Sequence, residues 1–290
     1  MKPMHAVMAV LVTMIWGFNF PVSKLVLREF SPLLAMTLRY ALVALVLVPF
    51  AKMPRGNWRG IFLYALVLGG IHFPIVFYGL KGLNASTAAI AIQTQVPLAS
   101  LLAALLLGDK LGWRRGVGMA LAFAGVGVMA GAPGGNVSLP HLGLVLFGAL
   151  CFAYSNIQIK QMGNIDAYTL TGWMGLLSVP MLLAECFLFE RDQWQQIEQA
   201  SWLGWGSMLY MALFSTIAAY ALWQPLMRRF AMNQVMPFTL LVPIFGVTSS
   251  VLVMGDRLTV GLVLGGVLTV AGVAVILIRR PTTYEPRTTT

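Results

Sequence analysis

Apolar residues in this chain arrive in blocks of about twenty, divided by short stretches that hold nearly all of the charge. A helix of about 20 residues spans about 30 Å, the thickness of a bilayer's hydrocarbon core. Ten such blocks can be drawn, at approximately 3–23, 31–51, 59–80, 85–107, 114–131, 141–161, 167–189, 203–227, 233–254 and 260–279. Inside lipid every backbone N–H and C=O must be satisfied within its own segment, so these blocks are helices and not open strands. Only 10% of the residues are charged, against roughly 25% in a soluble domain, which is too little to wet the surface of a soluble fold. The expectation is an all-α membrane protein with ten transmembrane helices. The longest gap, about 190–202, reads as a short amphipathic connection.

Charge sets the orientation. The N-terminus, every second loop and the C-terminus together hold Lys2, Lys52, Arg55, Arg59, Lys110, Arg114, Arg115, Lys160, Arg228, Arg229, Arg279, Arg280 and Arg287, thirteen cations. The opposite side holds five, Lys24, Arg28, Lys81, Arg191 and Arg257. Basic loops stay cytoplasmic, so both termini are expected there, in a multi-pass protein of a bacterial inner membrane. The same scatter argues against nucleic acid as a partner, because a net charge of +10 spread over many loops forms no patch. Residues 16–19 continue the first apolar run without a cleavage signature, so it reads as a retained helix and not a leader. Cys151 and Cys186 sit inside apolar blocks and read as reduced core residues.

The chain also repeats itself. Gly108-Asp109-Lys110-Leu111 returns 147 positions on as Gly255-Asp256-Arg257-Leu258, and at the same offset Gly118 matches Gly265 and Ala124-Gly125-Val126 matches Ala271-Gly272-Val273. Towards the start of each half the offset drifts to 136, where Lys24 aligns with Lys160. Two five-helix halves follow, 1–135 and 136–280, with 281–290 a disordered cytoplasmic tail. An odd number of spans per half inverts the second half relative to the first, the architecture of many secondary transporters, whose substrate site lies near the midplane.

Trp16-Gly17-x-Asn19-Phe20, Arg39, Pro97 and Gly108-Asp109-Lys110-Leu111 in the first half resemble the EamA family of the drug/metabolite transporter superfamily. In the second half Ala219-Tyr220-x-x-Trp223, Pro243 and Gly255-Asp256-Arg257-Leu258 resemble its other repeat. The resemblance covers essentially the whole chain and is greatest to YddG-type amino-acid exporters, although that family usually carries Glu where Asp109 and Asp256 stand. It implies a ten-helix basket around a central cavity, with alternating access between the halves.

Polar residues inside spans are costly and turn towards a cavity or the bundle interior. Trp16 and Asn19, three apart in the first span, share a helical face. Gln93, Gln95 and Pro97 interrupt the fourth span, with Pro243 matching in the ninth. Tyr154 and Gln158 in the sixth span, and Tyr220 and Gln224 in the eighth, are four apart, an aromatic–amide pattern suited to a ligand with apolar and polar parts. Tyr78 and Trp173 add aromatics, and His72 reads equally as a core histidine or a proton carrier. The expected substrate-binding set is Trp16, Asn19, Tyr78, Gln93, Gln95, Tyr154, Trp173 and Tyr220. Arg39, Pro97, Pro243, Gly118 and Gly265 are expected to serve structure or gating, the glycines through small-xxx-small packing, within the chain or in a weak homodimer; for Arg39 the favoured role is holding the second span in place, the alternative countering a substrate carboxylate.

No carboxylate lies at the centre of a span; Glu185 comes closest. A buried-glutamate proton mechanism is therefore not expected. No phosphate-cradling loop and no metal-spaced His/Cys/acid cluster is present, so neither cofactor nor metal is expected and an enzyme is disfavoured. The function expected is export of amino acids, including aromatic ones, or similar small metabolites. The rival is other cargo of the superfamily: nucleotide-sugars, purines or amphiphilic drugs.

Overall fold

A computed structural model describes residues 3–54, 56–108, 111–132, 137–162, 165–230 and 232–277; the side chains at 167, 224, 227, 228, 232 and 233 lie outside it. Ten long helical segments run through Pro3–Val26, Pro32–Phe50, Trp58–Lys81, Ala85–Leu107, Trp113–Gly131, Leu139–Met162, Ala167–Phe189, 202–229, Met236–Met254 and Val260–Leu277, named here the first to the tenth span. Their ends fall within three residues of the apolar blocks. Among the described residues nine helices are long and apolar enough to cross a membrane. The fifth is diluted by Arg114, Arg115 and its glycines, yet it lies lengthwise against the tenth. The gap after the seventh span folds into a short helix, Gln193–Gln199, with no buried residue.

Packing follows the repeat. The fifth span lies on the tenth, the second on the seventh and the fourth on the ninth, each with its own counterpart. The other main contacts come in exchanged pairs: first with ninth and sixth with fourth, first with eighth and sixth with third. That set is what two inverted copies produce.

Local irregularities are duplicated too. The third and eighth spans each contain a π-helical stretch, Ala65–His72 and Tyr210–Ala218. The fourth and ninth each tighten into a 3₁₀ turn, Ile92–Thr94 and Met236–Leu240. Pro97 and Pro243 stand just after those turns and are buried. A proline offers no N–H to the carbonyl four residues back and its ring crowds that carbonyl, so regular helix cannot run through either place. Both spans then end on a left-handed glycine, Gly108 at φ +70° and Gly255 at φ +71°, a conformation costly for other residues.

The fifth–tenth contact is backbone on backbone. A Cβ on Gly118 would come within 2.7 Å of the Gly272 carbonyl oxygen, and one on Gly265 within 2.5 Å of that of Gly125. Gly118 and Gly265 thus lie inside the chain, on its internal seam. The boundary between the halves at 135/136, the loop residues Asp109 and Lys110, and the tail 281–290 lie outside the described residues.

Candidate functional site

The π stretch of the eighth span is the meeting point of polar groups from the first and second spans. Within it Thr216 Oγ1 donates to the carbonyl of Met211, five residues back, at 2.9 Å, so a side-chain donor fills part of the widened turn. From the first span the Trp16 indole N–H donates to the Ser215 carbonyl at 3.1 Å. Its ring lies 5.8 Å from Tyr220 and 5.2 Å from Trp223, centroid to centroid. Asn19, one turn along, donates through Nδ2 to Ser23 Oγ at 3.3 Å while its Oδ1 is buried with no partner. Tyr210 donates to the Ile15 carbonyl at 3.0 Å. From the second span Arg39, 5% exposed, donates through Nε and Nη2 to Thr216 Oγ1 at 3.3 and 2.8 Å. Its guanidinium carbon lies 5.1 Å from the centroid of the Phe73 ring.

Three members of the expected set, Trp16, Asn19 and Tyr220, are therefore grouped around one irregular stretch of the eighth span, which Arg39 also reaches from the second span. The other five lie elsewhere. Gln93 is buried in the 3₁₀ turn of the fourth span, and Gln95, half-buried, opens the helix that restarts there. Tyr78 is at the end of the third span furthest from the N-terminal face, donating to Glu190 Oε1 at 2.8 Å. Trp173 is near the N-terminal face, its indole N–H on the Lys52 carbonyl at 3.0 Å and its ring 5.0 Å from Trp58. Tyr154 is 41% exposed whereas Gln158 is 7% exposed, so one turn of helix separates two environments, and Gln158 Oε1 is buried without a partner. Gln224 lies outside the described side chains. His72 is buried, its Nδ1 2.7 Å from the Gly148 carbonyl oxygen.

A second polar system, which sequence reasoning missed, ties the halves together at the face opposite the N-terminus. Its centre is Glu190, 7% exposed. The carboxylate accepts from Ser31 Oγ at 2.5 Å, the backbone N–H of Leu33 at 2.9 Å and of Leu34 at 3.1 Å, and Tyr78. Ser31, Leu33 and Leu34 form the N-terminus of the second span, whose first N–H groups lack helical partners and carry partial positive charge. The same device recurs twice. Glu29 accepts from Ser201 N and Oγ, both at 2.6 Å, at the start of the eighth span. Asp256 accepts from Ser86 N at 2.9 Å and Oγ at 2.8 Å, at the start of the fourth. In each case acid and capped helix belong to different halves. Lys24 complements them, donating to the carbonyls of Leu80 and Leu83 at 3.0 and 2.9 Å, at the negative end of the third span. Two signals for Glu190 stood in the sequence: an acid directly after an apolar block, and Ser31-Pro32, a helix start in need of an acceptor.

Comparison with known proteins bears on this arrangement. The model of the EamA-like transporter family matches residues 4–131 and again 140–278. The chain belongs to the EamA-like transporter family. It is 31% identical over 277 residues to a "Probable amino-acid metabolite efflux pump" of Salmonella typhimurium, covering 91% of this chain and 92% of that one. It is 30% identical over 284 residues to a protein of the same description from Escherichia coli K12, covering 94% of each. A solved crystal structure superposes with a TM-score of 0.65 at 16% identity, covering 92% of this chain and 95% of that one, a likeness of fold alone. This EamA-like protein is a multi-pass membrane transporter with two inverted repeats, not an enzyme.

Proposed function

We propose that this EamA-like protein exports amino acids, aromatic ones among them, or similar small metabolites, across a bacterial inner membrane. The N-terminal face is then cytoplasmic, a reading supported by the thirteen cations assigned to that side, and the Glu190 face is external. The observation that carries the reading is the grouping of Trp16, Tyr220 and Trp223 beside the buried, unpartnered Oδ1 of Asn19. Aromatic faces accept the apolar part of a side chain, and a free amide oxygen accepts an ammonium N–H. The names of the two relatives support the same cargo class.

Movement is alternating access, in which the halves 1–135 and 136–280 rock about the symmetric fifth–tenth seam. The π stretches and 3₁₀ turns are the places where spans bend, since their backbone bonds are already irregular. Gln93 and Gln95 contact cargo from the fourth span. We assign Tyr78 to the external closure and Trp173 to anchoring at the internal face. Reconstituted into liposomes, the wild-type protein is expected to exchange labelled phenylalanine and neutral amino acids, with flux cut at least about tenfold in Trp16→Ala. Absence of exchange for every amino acid, alongside flux of a nucleoside or an amphiphilic cation, would reassign the cargo.

A further inference from the structure

A guanidinium has five N–H donors and no acceptor. Arg39 spends two of them, both on Thr216 Oγ1. Among the described residues its other neighbours are Phe73 at 5.1 Å, Tyr40 at 6.0 Å, Tyr220 and His72; no carboxylate is among them. The residue is 5% exposed, in the middle of the second span. A cation at that depth with one neutral acceptor and three unspent donors is poorly compensated, because burying a charge is tolerated only when a counter-charge and hydrogen bonds replace its water. A brace between spans needs none of that: an uncharged donor would serve Thr216 as well. What a planar fork of donors fits best is a carboxylate, held by two parallel bonds.

We propose that Arg39 is the carboxylate anchor of the transport site, and that Thr216 Oγ1 occupies its fork until cargo arrives. This rests on the reading of the protein as a transporter of amino acids and deepens it. Thr216 is suited to be displaced: its hydroxyl already donates to the Met211 carbonyl within the π stretch, so releasing the guanidinium leaves that bond in place. The neighbouring elements complete a zwitterion site in outline. Asn19, with its free Oδ1, approaches the same stretch from the first span, through Ser23 Oγ at 3.9 Å from Met211 Sδ. Carboxylate and ammonium are thus received from the second and first spans, and the aromatic body lies towards Trp16 and Tyr220.

The test is binding, measured on the full chain in detergent with three probes: phenylalanine, 3-phenylpropionate and phenethylamine. Wild type is expected to bind both carboxylates at least about tenfold more tightly than the amine, the factor one charge-assisted pair supplies. Arg39→Gln is expected to erase the preference and Arg39→Lys to restore part of it. Thr216→Val, which removes the competing acceptor, is expected to tighten both carboxylates and leave the amine where it was. A mere brace predicts the reverse, lowered stability with an unchanged ratio of carboxylate to amine. Equal binding of acid and amine by wild type, or a preference surviving in Arg39→Gln, overturns the assignment. If Arg39→Gln does not fold, Thr216→Val decides alone, since unchanged carboxylate affinity there also overturns it. Liposome flux separates the two claims: carboxylate binding without amino-acid flux leaves Arg39 as the anchor and removes the transport reading.

Discussion

The third and eighth spans hold equivalent places in the two halves and carry the same π-helical defect, yet they are furnished differently. Around Ala65–His72 the groups are an imidazole on a backbone carbonyl, the Ser178 hydroxyl on the Ala65 carbonyl, the Glu185 carboxylate beside Gly70, and the rings of Phe73 and Phe152. Around Tyr210–Ala218 they are an indole N–H, a guanidinium, two phenols and an amide. Trp16 and Phe152 are counterparts at the 136 offset. One donates a hydrogen bond to the eighth span, and the other packs 5.3 Å from the His72 ring in the third. The backbone is common to both copies and the polar chemistry is not. In the proposed function symmetry serves the rocking of halves, whereas recognition of one asymmetric molecule needs its contacts gathered on one side.

Substitutions that test this contrast fall in descending order of effect. Gly125→Leu and Gly272→Leu press on the same seam from its two sides, where an added Cβ meets backbone at 2.5 Å. Each is expected to cost about 3 kcal/mol or more, read as a lowered midpoint of thermal unfolding in detergent. A large difference between the two would break the symmetric picture. Next comes Trp16→Phe, which keeps a ring and deletes only the donor to Ser215; amino-acid flux is expected to fall about tenfold. Its counterpart Phe152→Leu should change flux by less than about twofold, and equal losses would show that the first half's chemistry matters as much.

Glu190→Gln probes the closure proposed for the face opposite the N-terminus, which has no symmetric equivalent among the described residues. Replacing a carboxylate that accepts from two backbone N–H groups and two hydroxyls is expected to weaken closure by about 1–2 kcal/mol. Labelling of a cysteine placed at Leu34 by an external impermeant reagent should then quicken roughly three- to tenfold, and an unchanged rate would remove Glu190 from the gate. The smallest effect is expected for Tyr154→Ala, below about twofold on flux, because that side chain is 41% exposed.

How much of this was legible beforehand differs by level. The Gly108 and Gly255 motifs announced the repeat, and the structure puts a left-handed glycine at both. Pro97 and Pro243 announced the broken fourth and ninth spans. An acid directly after an apolar block marked Glu190 as a helix-end group, but its place as a hub was not legible, because its partners Ser31, Leu33 and Tyr78 lie more than 100 positions away. Tyr154 and Gln158 show the opposite failure. Spacing of four places two residues on the same side of a helix, but the sixth span packs so that one is exposed and the other sealed.

What the sequence determined by itself was the number of spans, their order and the inverted duplication. Those follow from solvent acting on each residue in turn: lipid demands apolar runs of one length, and charge is confined to the ends. The tertiary structure alone decided the rotation of each helix about its axis, and with it that Trp16, Arg39 and Asn19 converge on one stretch of the eighth span. That rotation is set by packing between segments remote in the chain, where a Cβ or its absence settles how closely two backbones approach.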